Sequence, residues 1–113
     1  MHETAIAQEI LRIVEEAARR GGAQKIVRIR LVAGEMRAIV AQTLEWCFTF
    51  VSEGTMAAGA KIELETIPVR VRCSACKKES QLSEADFRCP ACQSEDLEVI
   101  TGMEFMVKDI EVE

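Results

Sequence analysis

Apolar residues recur every three or four positions through residues 4–20. Ile6, Ile10, Ile13, Val14 and Ala17 line one side, and Glu9, Arg12, Glu16 and Arg19 occupy much of the other. That period predicts an amphipathic helix, stopped by Gly21-Gly22. Over residues 25–32 the period falls to two. Val27, Ile29 and Leu31 face one way and Arg28 and Arg30 the other, the pattern of a half-buried strand. Ala33-Gly34-Glu35 then turns the chain into a second helical stretch, residues 38–53, with Val40, Leu44, Cys47, Phe48 and Val51 on its stripe and Gly54 at its end. Alternation resumes over residues 61–72. Ile62 and Leu64 are separated by Glu63 and Glu65, and Val69 and Val71 continue after Pro68. Residues 73–92 hold four cysteines and little that could form a core. Residues 97–112 return to strand through Leu97, Val99, Met103, Phe105 and Val107, with a bulge or bend expected at Gly102.

The simplest packing of this order places two helices on one face of a three-stranded sheet. The cysteine segment is inserted between the last two strands as a metal knob, giving an α+β fold. The expected division is residues 1–72 with 97–113 for the α+β domain and residues 73–96 for the knob. At 113 residues the chain is too short for a TIM barrel or a full Rossmann enzyme. Its net charge of -5 argues against a dedicated nucleic-acid binder, which shows a basic face. No apolar run approaches the roughly 20 residues of a membrane span. MHETAIAQEILRIVEE, with early acids and no basic start, does not read as a signal peptide, so a cytoplasmic location is expected.

The cysteines narrow the chemistry. Cys73-Ser-Ala-Cys76 is followed, after twelve residues, by Cys89-Pro-Ala-Cys92. Each CxxC turn places two sulfurs on one side of a tight bend, where backbone N–H groups can donate to them. Two such turns make a tetrahedral S₄ cage that suits Zn(II), with rubredoxin-like iron as the other option. A closed cage of four thiolates has no open position for a substrate, which argues against catalytic zinc. Two pairs so close argue for a shared metal over a thiol–disulfide couple. With no core of its own, the segment is expected to draw its folding energy from the metal. Arg70, Arg72, Lys77, Lys78 and Arg88 are near enough in sequence to offset the thiolate charge. The fifth cysteine, Cys47, reads as a buried small hydrophobe. Glu15-Glu16 and Glu63/Glu65 read as solvated charges on amphipathic elements.

Tyrosine is absent and there is one histidine, residue 2. The Met1 amine, the His2 amide and the His2 imidazole can close adjacent five- and six-membered chelate rings. Amides before the first helical turn lack an intrahelical acceptor. Deprotonated amides plus imidazole form a planar nitrogen set suited to Ni(II) or Cu(II). Glu3 can add an oxygen ligand or orient the site.

The Met-His-Glu start, the CxxC…CPxC knob and the ending TGMEFMVKDIEVE together resemble the HypA family of hydrogenase nickel-incorporation proteins. The likeness runs through KIVRIRLVAGEM, FVSEGTMAAGAKIELE and IPVRVRC. It implies a nickel metallochaperone, not an enzyme. Such a protein delivers Ni(II) as cargo to the large subunit of [NiFe]-hydrogenase, in some organisms also serves urease, and works with the accessory GTPase HypB. The family's nickel site falls on Met1, His2 and Glu3, and its structural zinc ligands on Cys73, Cys76, Cys89 and Cys92. The α+β part is then the nickel-binding domain. Neither nucleic acid nor membrane is an expected partner, and a homodimer is open to it. Some members carry a further histidine near the zinc segment; this chain has none after residue 2. The rival reading is a zinc-ribbon interaction adaptor without nickel.

Overall fold

The computed structural model describes residues 3–82 and 86–113 and is α+β. The chain divides into two compact units. One comprises residues through 32, 39–65 and 106–113; the other comprises Ala33–Ala38 and Thr66–Phe105.

In the first unit, helix α1 spans Glu3–Arg20 and buries Ile6, Ala7, Ile10, Val14 and Ala18. Ala17, expected on the stripe, is exposed, because four residues beyond Val14 the helix brings Ala18 back to the same face. Exposed pairs Glu9–Arg12, Glu15–Arg19 and Glu16–Arg20 run along the helix. Its end is a Schellman cap: the Ala23 N–H bonds to the Ala18 carbonyl and the Gly22 N–H to that of Arg19, with Gly22 at φ +72°.

Strands β1 (Ile26–Gly34), β2 (Lys61–Ile67) and β6 (Phe105–Val112) form a sheet in the order β2-β1-β6. Ile29 and Leu31 of β1 are buried. Arg28 and Arg30 point oppositely into carboxylates from both neighbouring strands: Arg28 pairs with Glu63 at 2.7 Å, and Arg30 with Asp109 at 3.1 Å. Charge on the central strand is thus matched within the sheet.

The second helix, α2 (Ala41–Val51), packs against α1 and buries Leu44, Cys47 and Phe48. It starts later than the expected residue 38. Residues Glu35–Arg37 form a 3₁₀ turn closed by Ala38 in the left-handed conformation, φ 53°. No right-handed helix can begin there, so Val40 becomes the N-cap residue and is exposed, not part of the buried stripe. Cys47 is buried as expected, and its sulfur accepts a 3.5 Å hydrogen bond from the Thr4 hydroxyl.

The second unit holds a separate antiparallel sheet in the order β4-β3-β5, from β3 (Arg70–Cys73), β4 (Glu79–Gln81) and β5 (Leu97–Thr101). The expected single strand over 61–72 therefore breaks. β2 ends at Ile67 before Pro68, which has no N–H to offer a ladder, and β3 starts in the other sheet at Arg70. The expected strand over 97–112 breaks likewise at Gly102, φ +116°. Val69, Val71 and Leu82 form a small core with Leu97 and Val99 packed on it. Leu82 is the one member drawn from residues 73–92, so the apolar core beside the cysteine segment comes from the residues flanking it, as its composition predicted.

Two backbone segments cross in this unit at unusually close range. The Gly34 N–H donates to the Glu104 carbonyl at 2.7 Å, and the Met36 N–H to that of Gly102 at 2.8 Å. The Arg37 guanidinium donates to the Met103 carbonyl, and the Gly102 N–H to the Glu104 carboxylate.

Candidate metal centre

The cysteine pairs sit on two turns of the same design. In the first, the Cys73 N–H donates to the Lys78 carbonyl and the Lys77 N–H to the Cys73 carbonyl, both at 2.9 Å. In the second, Cys89 makes the equivalent bonds to Ser94 and Gln93, at 2.9 and 2.8 Å. The residue after each second cysteine is left-handed: Lys77 at φ 65° and Gln93 at φ 66°. That conformation folds the chain back so that both sulfurs of a pair emerge on one side. β3 carries Cys73 into the cluster directly.

The four sulfurs all lie within 4.8 Å of one another. Cys73 Sγ is 3.6 Å from Cys92 Sγ, and Cys76 Sγ is 3.6 Å from Cys89 Sγ. A tetrahedral ion with metal–sulfur bonds near 2.3 Å would set sulfurs roughly 3.8 Å apart. The cluster therefore fits one tetrahedral cation. Cys73 and Cys89 are buried, Cys76 is half-buried and Cys92 is exposed.

The electrostatics agree with that fit. The Cys76 N–H, 3.4 Å from Cys73 Sγ, holds the Cys73 thiol down to about 6, against the opposing effect of burial. The Cys92 N–H lowers Cys89 in the same way. For Cys92, the Ser94 N–H favours the thiolate, but the Cys73 sulfur, burial and the other two sulfurs outweigh it and push it up to about 12. Sulfurs this close cannot all ionise without a cation between them. The groups that lower the sulfurs are backbone N–H groups of the two turns and not the basic side chains expected beside them. Arg72 turns to Glu79 at 2.7 Å and Arg88 to Asp86 at 3.1 Å, so backbone N–H groups take over part of the work of stabilising sulfur charge.

Glu3 is half-buried in the first turn of α1. Met1 and His2, the other expected nickel ligands, lie outside the described residues. Sequence reading missed the left-handed Lys77 and Gln93; only their equivalent place after each CxxC hints at them. No helix among the described residues is long and apolar enough to cross a membrane.

Residues 1–112 match the family described as "Hydrogenase/urease nickel incorporation, metallochaperone, hypA". A hydrogenase maturation factor HypA from Dehalococcoides mccartyi is 39% identical over 113 residues, covering all of this chain and 95% of the relative. One from Albidiferax ferrireducens is 33% identical over the full length of both. The fold is similar to the solution structure of the nickel metallochaperone HypA from Helicobacter pylori, with TM-score 0.68, 22% identity and coverage of 99% of this chain and 97% of that one. Matched along its whole length by relatives of this kind, the chain belongs to the HypA family of hydrogenase/urease nickel-incorporation metallochaperones.

Proposed function

We propose that this protein carries Ni(II) as cargo on Met1, His2 and Glu3 and delivers it to the large subunit of [NiFe]-hydrogenase. Urease is a second recipient where that enzyme is present. The delivery takes place in the cytoplasm with the GTPase HypB, and Cys73, Cys76, Cys89 and Cys92 hold a structural Zn(II). In this reading, residues 1–72 and 97–113 serve nickel and residues 73–96 serve zinc. The observation that carries it is the match over residues 1–112 to a nickel-incorporation family, which takes in both the Met-His-Glu start and the cysteine pairs.

The two metals make opposite demands. Zinc bound by four thiolates is coordinatively complete and holds a shape. Cargo must leave, so it belongs on ligands that an acceptor can replace one at a time. The amine, amide and imidazole nitrogens of Met1 and His2 bind nickel only after losing protons, so nickel affinity falls as pH drops. The Glu3 carboxylate adds an oxygen donor or orients the histidine.

The test is calorimetric titration of Ni(II) into untagged, zinc-loaded protein beside His2→Ala. The expected result is about one nickel per chain in the parent, lost in the variant while zinc stays bound. Nickel binding indifferent to His2 would return the chain to the zinc-ribbon adaptor reading. An N-terminal tag that acylates Met1 should weaken nickel binding and leave zinc in place.

A further inference from the structure

Helix α2 turns its largest side chains outward. The chain has one tryptophan and four phenylalanines. Trp46 is 65% exposed and Phe50 56%, whereas Phe48 on the opposite side is fully buried. Trp46 and Phe50, one helical turn apart, meet edge to face with ring centroids 4.8 Å apart. They form a pre-assembled aromatic surface that solvent gives no reason to keep. Beside it lies a shallow groove of about 280 Å³ whose walls include Thr49, Ile62 and Glu45. Exposed tryptophan is the residue type most enriched at the energetic centre of protein interfaces.

Along α2 and the loop that follows it the charge is one-sided. Residues 38–60 contain two charged side chains, Glu45 and Glu53, both acidic and both exposed. Lys61, lining the far side of the groove, is the first basic residue beyond them. A second copy of this chain in a two-fold contact on this face would bring the acidic Glu45 and Glu53 of both copies into one interface. An anionic lipid surface would meet the same repulsion. The occupant these charges favour has apolar anchors at helical spacing and Lys or Arg beside them.

We infer that the Trp46–Phe50 face of α2 is a docking surface for an amphipathic, basic helical segment of a partner protein. The anchors cover the aromatic pair, and the partner's cations meet Glu45 and Glu53 at the rim.

Trp46 is the sole tryptophan, so its emission reports this surface and no other. The probe is a helical peptide of about 16 residues with leucine on one face and lysine on its flanks, beside the same peptide with glutamate for lysine. Both are titrated into the full-length, metal-loaded protein, with Trp46 emission and peptide anisotropy read together. The lysine peptide is expected to bind saturably and shift Trp46 emission to the blue. Affinity should fall about tenfold or more in Phe50→Ser, and also in the Glu45→Lys, Glu53→Lys double variant, which keeps both aromatics. Unchanged circular dichroism in each variant shows that the fold is intact. Equal binding of the two peptides, or binding indifferent to either variant, overturns the assignment. So does self-association that Phe50→Ser abolishes, which makes the occupant a second copy. A Trp46 shift with phosphatidylglycerol vesicles but not with the lysine peptide overturns it in favour of a membrane.

Discussion

Gly34 and Gly22 are both glycines for steric reasons, but for different ones. Gly34 has ordinary extended backbone, φ -70°. What it lacks is room: a Cβ there would sit 2.0 Å from the carbonyl carbon and oxygen of Gly102. Gly22 has open space around it but φ +72°. Alanine at Gly22 should therefore cost only the left-handed conformation, about 1 kcal/mol. Alanine at Gly34 must push two backbones apart and break the bonds from Gly34 to Glu104 and from Met36 to Gly102, so about 3 kcal/mol or more is expected. Denaturant unfolding of the two variants checks this, and equal losses would contradict the close crossing. Cys73 supplies a second prediction at this scale. The Cys76 N–H holds its folded-state value down to about 6, so above that pH it meets a metal as thiolate and below it a proton must first be displaced. Zinc affinity should fall as pH drops. The protons released per zinc should rise by roughly one between about pH 7.5 and 5. Calorimetry in buffers of different ionisation enthalpy counts them, and a flat count would remove Cys73 from this role.

At the scale of elements, the type of each long segment was legible and its continuity was not. α1 follows from its period of apolar residues, and β1 from its alternation. Residues 61–72 and 97–112 alternate over most of their length on both sides of their break, because β2 and β3, like β5 and β6, each cover one side of a sheet more than the other. Alternation does not state which sheet. Pro68 and Gly102 were the visible signs, but either residue can also produce a bulge within one strand. The start of α2 was obscured by Ala38, since nothing about alanine announces a left-handed residue. The cysteine turns were the most legible feature, because two CxxC spacings admit few ways for four sulfurs to meet. The groups balancing their charge were less so, because the residue type of Arg72 and Arg88 does not reveal that Glu79 and Asp86 claim them first. The outward aromatics were readable in part: Trp46 and Phe50 fall between the stripe positions Leu44, Cys47, Phe48 and Val51.

At the scale of the whole molecule, the two units draw on different sources of stability. The first combines fully buried Ile10, Val14, Ile26, Ile29, Leu31, Leu44 and Phe48. The second has three buried apolar side chains and two partly buried ones in its cluster, against the conformational entropy of ordering both of its segments, Ala33–Ala38 and Thr66–Phe105. Its close backbone crossing and the sulfur cluster carry the rest. A cation at Cys73, Cys76, Cys89 and Cys92 would tie β3 to the turn over residues 89–94, joining segments that otherwise share few buried contacts. Removing that cation should therefore act unevenly. With a strong chelator, backbone amides of β3 and β5 are expected to exchange with solvent faster by orders of magnitude, while amides in the middle of α1 keep their protection. Helical circular dichroism should change little, because both helices belong to the first unit. Hydrogen exchange read segment by segment before and after chelation decides the matter. Simultaneous loss of protection in α1 and β3 would mean one cooperative structure that the metal holds as a whole. No change in β3 would mean that Val69, Val71, Leu82 and the Gly34–Gly102 crossing suffice without it.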